Sequence, residues 1–182
     1  HMMLSGLQAT GVHLHAAQSI DDVLNAVSEA ARVIEPGLWL RGSYLNEQNL
    51  AEKRMPSREE LDRACPELPV FLLHATCHMC SFNTKGLDII DIPKDLEGLD
   101  MAGGKPLGVV RDPGILTFVL PTMSRLIPEE EKISALKRVA GMVMHKGITT
   151  IHALDGGDLG PGETRIIHDN SGALPIRVVC YN

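Results

Sequence analysis

The last third of the chain alternates helical and strand patterns with short links, and this order limits the possible folds more than any other feature. A helical pattern begins at Glu129, where the helix dipole favours an acidic first turn, and it ends at Gly147. β-Branched residues then predict a strand over 148–154, followed by a short helix over 163–169 and a strand over 175–181. This order is typical of parallel sheets built from crossover units. The sequence therefore predicts an α/β fold.

The earlier part of the chain mixes helices and strands less regularly. Ser19, with Asp22 three residues later, predicts a capped amphipathic helix that ends near Ile34. Ser57 and Glu60 form a second capping pattern and predict a short helix. The remaining predictions are strands over 38–45, 70–74 and 107–112, a helix over 81–90 broken at Gly86, and a loop over 91–105.

The composition predicts a soluble globular protein and excludes several partners. The chain has 182 residues, of which 44% are hydrophobic, and a formal net charge of −6 at pH 7. Nucleic acids and anionic membranes favour basic surfaces, so neither is expected as a partner. No apolar run approaches the roughly 20 residues of a membrane span. The four cysteines are too few for a secreted disulfide scaffold and predict reduced thiols in a cytoplasmic protein.

The two ends of the sequence suggest a segment of a longer protein. His1 and Met2 before Met3 are typical of a cloning remnant, which we left out of the fold prediction. The polar residues that follow contain no strand pattern, whereas the other end stops as the strand over 175–181 finishes. We therefore expect the chain to be an internal fragment with unpartnered apolar faces, and we expect it to form oligomers through them.

One short stretch carries four residues of types that bind zinc. His74, Cys77, His78 and Cys80 lie within seven residues of one another. Structural zinc sites usually combine two separated pairs, and no second pair follows here. In an alternating strand, only His74, His78 and Cys80 share a face. A small zinc-binding module is therefore an alternative with less support, and buried free cysteines account for the pattern as well.

Three further places have candidate metal ligands. His13 and His15 form an H-x-H pair, but no buried strand precedes them, so they are interpreted as exposed histidines in a linker. His152 lies at a predicted strand end before Asp155 and a glycine-rich loop, which is where parallel-sheet enzymes place their sites. Asp112 ends another strand, and a carboxylate there suits a divalent metal, although a local ion pair with Arg111 at a turn explains it too.

Four segments, taken together and in this order, resemble the YtcJ-like branch of the amidohydrolase superfamily (the amidohydrolase 3 group), which includes AepA-type exoenzyme regulatory proteins. They are 37–42 (GLWLRG), 70–83 (VFLLHATCHMCSFN), 108–112 (GVVRD) and 147–152 (GITTIH). The resemblance runs from about Leu4 to the end of the chain. It implies a metal-dependent hydrolase with a TIM barrel, a small β-sandwich and an α+β insertion near the substrate.

The resemblance also implies a division of the chain. Residues 1–36 would contain the remnant, a linker and an early barrel helix, residues 37–128 the α+β insertion domain, and residues 129–182 a partial TIM-barrel segment of helix, strand, helix and strand. The family's H-x-H motif would lie before Leu4 and its later metal-binding histidines and catalytic aspartate after Asn182. The divalent metal, expected to be zinc, would therefore bind in the full-length parent, and the isolated fragment is expected to be inactive.

The site residues carried over by the resemblance are few. His78 and Asn83 match a G-H…N element that faces the substrate, with Cys77 at a position where glycine is usual, and Trp39 is assigned to the same substrate-binding group. Asp112 and His152 are implied as members of an incomplete metal site. The implied reaction is hydrolysis of an amide or related C–N bond of a small molecule, with the remainder of the parent chain as partner. A self-contained regulatory or interaction domain without catalytic activity is the alternative.

Overall fold

A computed structural model of the chain describes residues 1–155 and 160–181, and these divide into two compact units. The sheet unit is Gly11–Leu116, and the helical unit is His1–Thr10 together with the residues from Thr117 onward. The strands are β1 (Val12–His13), β2 (Leu40–Leu45), β3 (Val70–His74), β4 (Met79–Phe82), β5 (Leu99–Ala102), β6 (Lys105–Arg111), β7 (Thr150–Ala153) and β8 (Arg177–Cys180). The helices are α1 (Met2–Gln8), α2 (Ile20–Ala31), α3 (Arg58–Ala64), α4 (Thr84–Ile90), α5 (Leu120–Leu126), α6 (Glu129–Met144) and α7 (Glu163–Asn170).

The sheet unit is built on one mixed sheet with the strand order β1-β2-β3-β4-β6-β5. The first three strands are parallel, and the pairs β3–β4, β4–β6 and β6–β5 are antiparallel. Helix α2 contributes Val23 and Val27 to the core beneath the sheet, and α3 contributes Leu61. Burying each such side chain stabilises the fold by about 1.5–3 kcal/mol. The predicted α/β class is confirmed at this level.

Both predicted capping boxes are present and define where their helices begin. Ser19 Oγ accepts the Asp22 N–H, and the Asp22 carboxylate accepts the Ser19 N–H. Ser57 and Glu60 form the same reciprocal pair at α3. Helix α2 therefore starts where predicted, and it packs in the sheet unit, which begins before the predicted boundary at residue 37. The assignment of these parts to an insertion and a barrel stays a prediction.

Two predictions in the sheet unit were wrong in detail. The segment 91–105 was predicted as a loop, but it contains β5, which pairs with β6 through a two-residue turn at Gly103 and Gly104. Both glycines have positive φ, which such hairpins require. The helix predicted over 81–90 begins only at Thr84, because β4 occupies the residues before it. It continues through Gly86, where a Cβ would lie 2.8 Å from the Val70 carbonyl oxygen.

The helical unit packs α1, α6 and α7 around the parallel pair β7–β8. Leaving out His1 and Met2 was wrong, because α1 begins at Met2 and Met2 is buried in the core with Leu136 and Ile167. Residues 12–13 were predicted as linker but form β1, although His13 and His15 are both exposed, as expected. Helix α5 was not predicted. No helix among the described residues is long and apolar enough to cross a membrane.

Candidate functional site

Most of the polar residues that the sequence analysis proposed as candidates lie at one edge of the six-stranded sheet. Strands β1, β2 and β3 run parallel and therefore all end at this edge. Strand β4 runs antiparallel to β3 and begins there, and β6 is antiparallel to β4 and ends there. We call it the carboxyl edge. Ligands of α/β proteins commonly bind beyond the carboxyl ends of parallel strands.

The structure brings together two residues that the sequence analysis assigned separately. Because Met79 pairs with Arg111, the residues just outside the two strands, His78 and Asp112, are neighbours. His78 Nδ1 lies 2.6 Å from Asp112 Oδ2, and both side chains are exposed. Arg111 pairs instead with Asp100, at 3.1 Å from Nε to Oδ2. A carboxylate on Nδ1 favours the Nδ1–H tautomer, so Nε2 becomes the proton-accepting atom of the neutral ring.

The turn that presents His78 explains why glycine suits the position of Cys77. Residues 75–78 connect β3 to β4, and the Cys77 N–H donates to the His74 carbonyl at 2.9 Å. Cys77 has φ = 63°, in the left-handed region that glycine adopts most readily. Cys77 stands where the family resemblance predicts glycine. The turn keeps the left-handed conformation, but it carries a side chain at this position.

Beneath the turn, His74 is buried, with hydrogen-bond partners at Nδ1 and a carboxylate close to Nε2. Its Nδ1 accepts the Thr76 N–H at 3.1 Å and lies 2.8 Å from Thr76 Oγ1. Its Nε2 lies 2.7 Å from Glu47 Oε2, an ion-pair distance outside ideal hydrogen-bond geometry. Burial, the largest effect, would raise the pKa of Glu47. Hydrogen bonds from Gln48 and its own backbone, with the charge of His74, outweigh burial and lower that pKa.

Asn83 is fully buried and has a structural role, and the substrate contact that the resemblance implies for it stays a prediction. Its Oδ1 accepts the N–H groups of Val70 and Gly86, each at 2.9 Å. Its Nδ2 donates to the carbonyl oxygens of Cys65 and Leu68, at 3.0 and 2.8 Å. A side-chain amide has two donors and two acceptor positions, so these four bonds use all of its capacity.

Trp39 lies just before β2 and is half-buried. Its ring contacts Phe82 edge-on, with 6.3 Å between the ring centroids. The contact accounts for the packing of one part of the ring, and a substrate role for Trp39 stays a prediction.

His152 belongs to the helical unit, where it contacts Tyr181 on the neighbouring strand end. Its Nδ1 lies 2.6 Å from the Tyr181 hydroxyl oxygen, and the two rings stack with centroids 5.7 Å apart. Asp155 follows the same strand but is buried, and its carboxylate accepts the N–H groups of Met2 and Met3. Asp155 therefore anchors the start of α1. The strand-end position of His152 is as predicted, whereas Tyr181 was not identified from the sequence.

The described residues form no group of three or more His, Cys, Asp and Glu side chains that could hold a metal ion. The zinc module suggested by four clustered ligands is therefore not supported. His74 is bound to Glu47 and Thr76, and Cys80 is completely buried, which strongly raises the pKa of its thiol. Asp112 and His152 lie in different units, and neither belongs to such a group.

Sequence and structural comparisons identify the class of protein. The model of the Amidohydrolase family matches residues 1–180, and the chain belongs to that family. An N-substituted formamide deformylase from Arthrobacter pascens is 38% identical over 74 residues, which are 41% of this chain and 14% of that protein. The protein named "Putative amidohydrolase YtcJ" from Bacillus subtilis (strain 168) is 26% identical over 163 residues, which are 85% of this chain and 30% of that protein. The resemblance predicted from the four segments is confirmed.

Two solved structures share the fold over the whole chain. An uncharacterized metal-dependent hydrolase from Pyrococcus horikoshii OT3 superposes with a TM-score of 0.75 at 18% identity. An uncharacterized metal-dependent hydrolase from Pyrococcus furiosus superposes with a TM-score of 0.73 at 17% identity. This chain covers 34% and 36% of those chains, so it spans about a third of the length of these two hydrolases.

Proposed function

We propose that the chain is part of a metal-dependent hydrolase that cleaves an amide or related C–N bond of a small molecule, and that the carboxyl edge faces the substrate. Membership of the Amidohydrolase family supports the reaction class. The name of the Arthrobacter relative, a deformylase of N-substituted formamides, supports the bond type. The observation that carries the site is the exposed pair of His78 and Asp112, joined at 2.6 Å.

The pair suits a role in orienting substrate and moving a proton. Asp112 holds the His78 ring through Nδ1 and stabilises the imidazolium form once Nε2 has accepted a proton. Turn residues 75–78 and the end of β6 place the two side chains from different strands, so their separation depends on the sheet register. In this proposal His78 contacts the leaving nitrogen or the attacking water, and Asp112 acts through His78.

The metal of this proposal is a divalent ion, with zinc as the expected ion, and it is held by other parts of the full-length protein. The described residues do not fit a metal site of their own. We further propose that the sheet unit is the α+β insertion, that the helical unit belongs to a partial TIM barrel, and that the parent protein is cytoplasmic. The isolated chain is then expected to be inactive.

The apolar surface of the helical unit supports an accompanying proposal about partners. Met142 and Leu154 are 54% and 62% exposed, and Ile148 is 44% exposed. We propose that these side chains contact the remainder of the parent chain or a second copy, because burial of exposed apolar side chains favours association. Light scattering of the isolated chain tests this, and a clean monomer at high concentration would contradict self-association.

The experiment for the reaction measures amine release from an N-substituted formamide. The full-length protein, reconstituted with zinc, is expected to release amine, and the 182-residue chain is not. His78→Gln in the full-length protein should lower kcat/KM by about 100-fold, the lower end of the range for general acid–base groups.

His168→Gln is the matched control for that substitution. His168 is also exposed and also contacts an aspartate, with 3.2 Å between its Nδ1 and Asp169 Oδ1, but it lies on α7. The control should retain full activity. Full activity of the His78→Gln protein would show that the carboxyl edge does not serve the reaction.

A further inference from the structure

We propose that His74, held between Glu47 and Thr76, is a positioning residue that fixes the turn carrying His78, so that His78 presents Nε2 outward with Asp112 on Nδ1. We call the three residues the turn clamp. The inference rests on the proposed function, because it assigns the clamp to the same site. It concerns residues that the resemblance did not assign to any role.

The clamp is built around a buried imidazole, with the partly buried Glu47 on one side and the exposed Thr76 on the other. His74 is 5% exposed, and its Nδ1 accepts the backbone N–H of Thr76, so this nitrogen carries no proton in the neutral ring. The proton is then on Nε2, 2.7 Å from Glu47 Oε2. Glu47 retains its charge readily because its pKa is lowered against the effect of burial. A buried imidazole with a carboxylate on one side and an amide on the other has a single favoured orientation.

The clamp connects directly to the geometry of His78. It binds the Thr76 backbone from inside the turn, and the next residue, Cys77, has the left-handed φ of 63°. The Ala75 N–H also donates to the Leu45 carbonyl at 2.7 Å, which ties the turn to the end of β2. Since His78 follows Cys77 without an intervening residue, rotation of the turn would move its ring away from Asp112. The clamp therefore restricts the turn that carries His78, and with it the His78 side of the pair at 2.6 Å.

The tautomer of His78 provides a readout that does not depend on catalysis. Long-range ¹H–¹⁵N NMR spectra of the complete 182-residue chain distinguish Nδ1–H from Nε2–H histidines, and the spectrum of His78→Gln assigns the His78 signals. The unmodified chain is expected to show neutral His78 as Nδ1–H. Asp112→Ala defines the spectrum of the broken pair, with His78 in the Nε2–H form that free imidazole prefers.

Substitutions in the clamp then test the inference. His74→Phe and Glu47→Gln should each convert most of the neutral His78 from Nδ1–H to Nε2–H. If His74→Phe does not fold, Glu47→Gln decides the question. Glu59→Gln is the matched control, because Glu59 is an exposed glutamate with an 82% exposed side chain, and it should leave the His78 spectrum unchanged.

The outcomes separate this inference from the proposed function. Retention of Nδ1–H by His78 in a folded clamp variant overturns the positioning role while leaving the His78–Asp112 pair in place. An unchanged His78 spectrum in Asp112→Ala shows that the pair does not form, which removes the basis of the proposed function as well.

Discussion

Replacing Asn83 should destabilise the sheet unit more than any substitution at its surface. Asn83→Ala removes four buried hydrogen bonds, two to N–H groups and two to carbonyl oxygens. At about 1 kcal/mol for each bond, the expected loss in the free energy of unfolding is about 4 kcal/mol. That loss is a large part of the roughly 5–15 kcal/mol that stabilises a typical domain. Urea denaturation followed by circular dichroism measures it.

Asn83→Asp separates the two halves of this network. Aspartate is an equally good N-cap, so it can still accept the N–H groups of Val70 and Gly86. However, it places an oxygen where Nδ2 lies 3.0 Å from the Cys65 carbonyl and 2.8 Å from the Leu68 carbonyl. If the donor half matters, Asn83→Asp should destabilise the unit by at least 2 kcal/mol, about 1 kcal/mol for each of the two lost bonds.

Asn46→Ala is the matched control for both variants. Asn46 also caps a turn, but through a single bond in which its Oδ1 accepts the Gln48 N–H at 3.0 Å. Its replacement should cost about 1 kcal/mol. A loss of less than 1 kcal/mol for Asn83→Ala, or a stability of Asn83→Asp equal to that of the unmodified chain, would refute the structural role. The substrate contact implied by the family resemblance would then need to be considered again.

Three further predictions concern stability. Cys77→Gly should raise the free energy of unfolding by about 0.5–1 kcal/mol in urea titrations, because glycine adopts positive φ without the cost borne by other residues; no gain would contradict this. Hydrogen bonds from Arg54, the largest effect, help lower the pKa of Glu60 to about 2 from 4.5. The stabilisation that ionised Glu60 provides is therefore present above pH 4.5 and lost as the pH falls toward 2. The difference in free energy of unfolding between the unmodified chain and Glu60→Gln should shrink over that range. Lys132→Met leaves the buried Glu163 without its cation and should lower the free energy of unfolding by about 3 kcal/mol at pH 7. Adding Glu163→Leu should recover most of that loss, and thermal unfolding of both variants measures it.

The loss of stability caused by Lys132→Met should itself depend on pH. Burial, the largest effect, raises the pKa of Glu163 above its ordinary value. A carboxyl with a raised folded pKa binds its proton more tightly in the folded state, so its unfavourable contribution grows as the pH rises. The cost of Lys132→Met should therefore be smaller in acid than at neutral pH, and a cost independent of pH would contradict the pairing with Glu163.

Much of the local structure could be read from short-range patterns. The capping boxes at Ser19 and Ser57 located two helix starts correctly, because the reciprocal bonds involve residues only three positions apart. The doubled glycine at Gly103 and Gly104 would have identified the β5–β6 hairpin, since both adopt the positive φ that such turns need.

The candidate site was harder to predict than the local structure, because it depends on contacts between residues that are far apart in the sequence. The sequence assigned His78 and Asp112 individually through the family resemblance, but 34 positions separate them, and only the β4–β6 register brings them to 2.6 Å. The same limit applies to Glu47 and His74, whose pairing follows from the parallel alignment of β2 and β3. Asn83 is a further case, because only the structure shows that this residue of a family motif makes four hydrogen bonds within the chain.

The sequence by itself therefore determined the starts of the two capped helices at Ser19 and Ser57, most of the strands, the α/β class and the family. Those properties depend on side-chain periodicity, caps and motifs that act over a few residues. Tertiary structure alone decided that Met2 and Met3 belong to a core, that Asn83 is structural, and that a buried histidine lies under the turn of His78. Each of these depends on strand register and helix packing, which bring together groups whose separation along the chain carries no local signal.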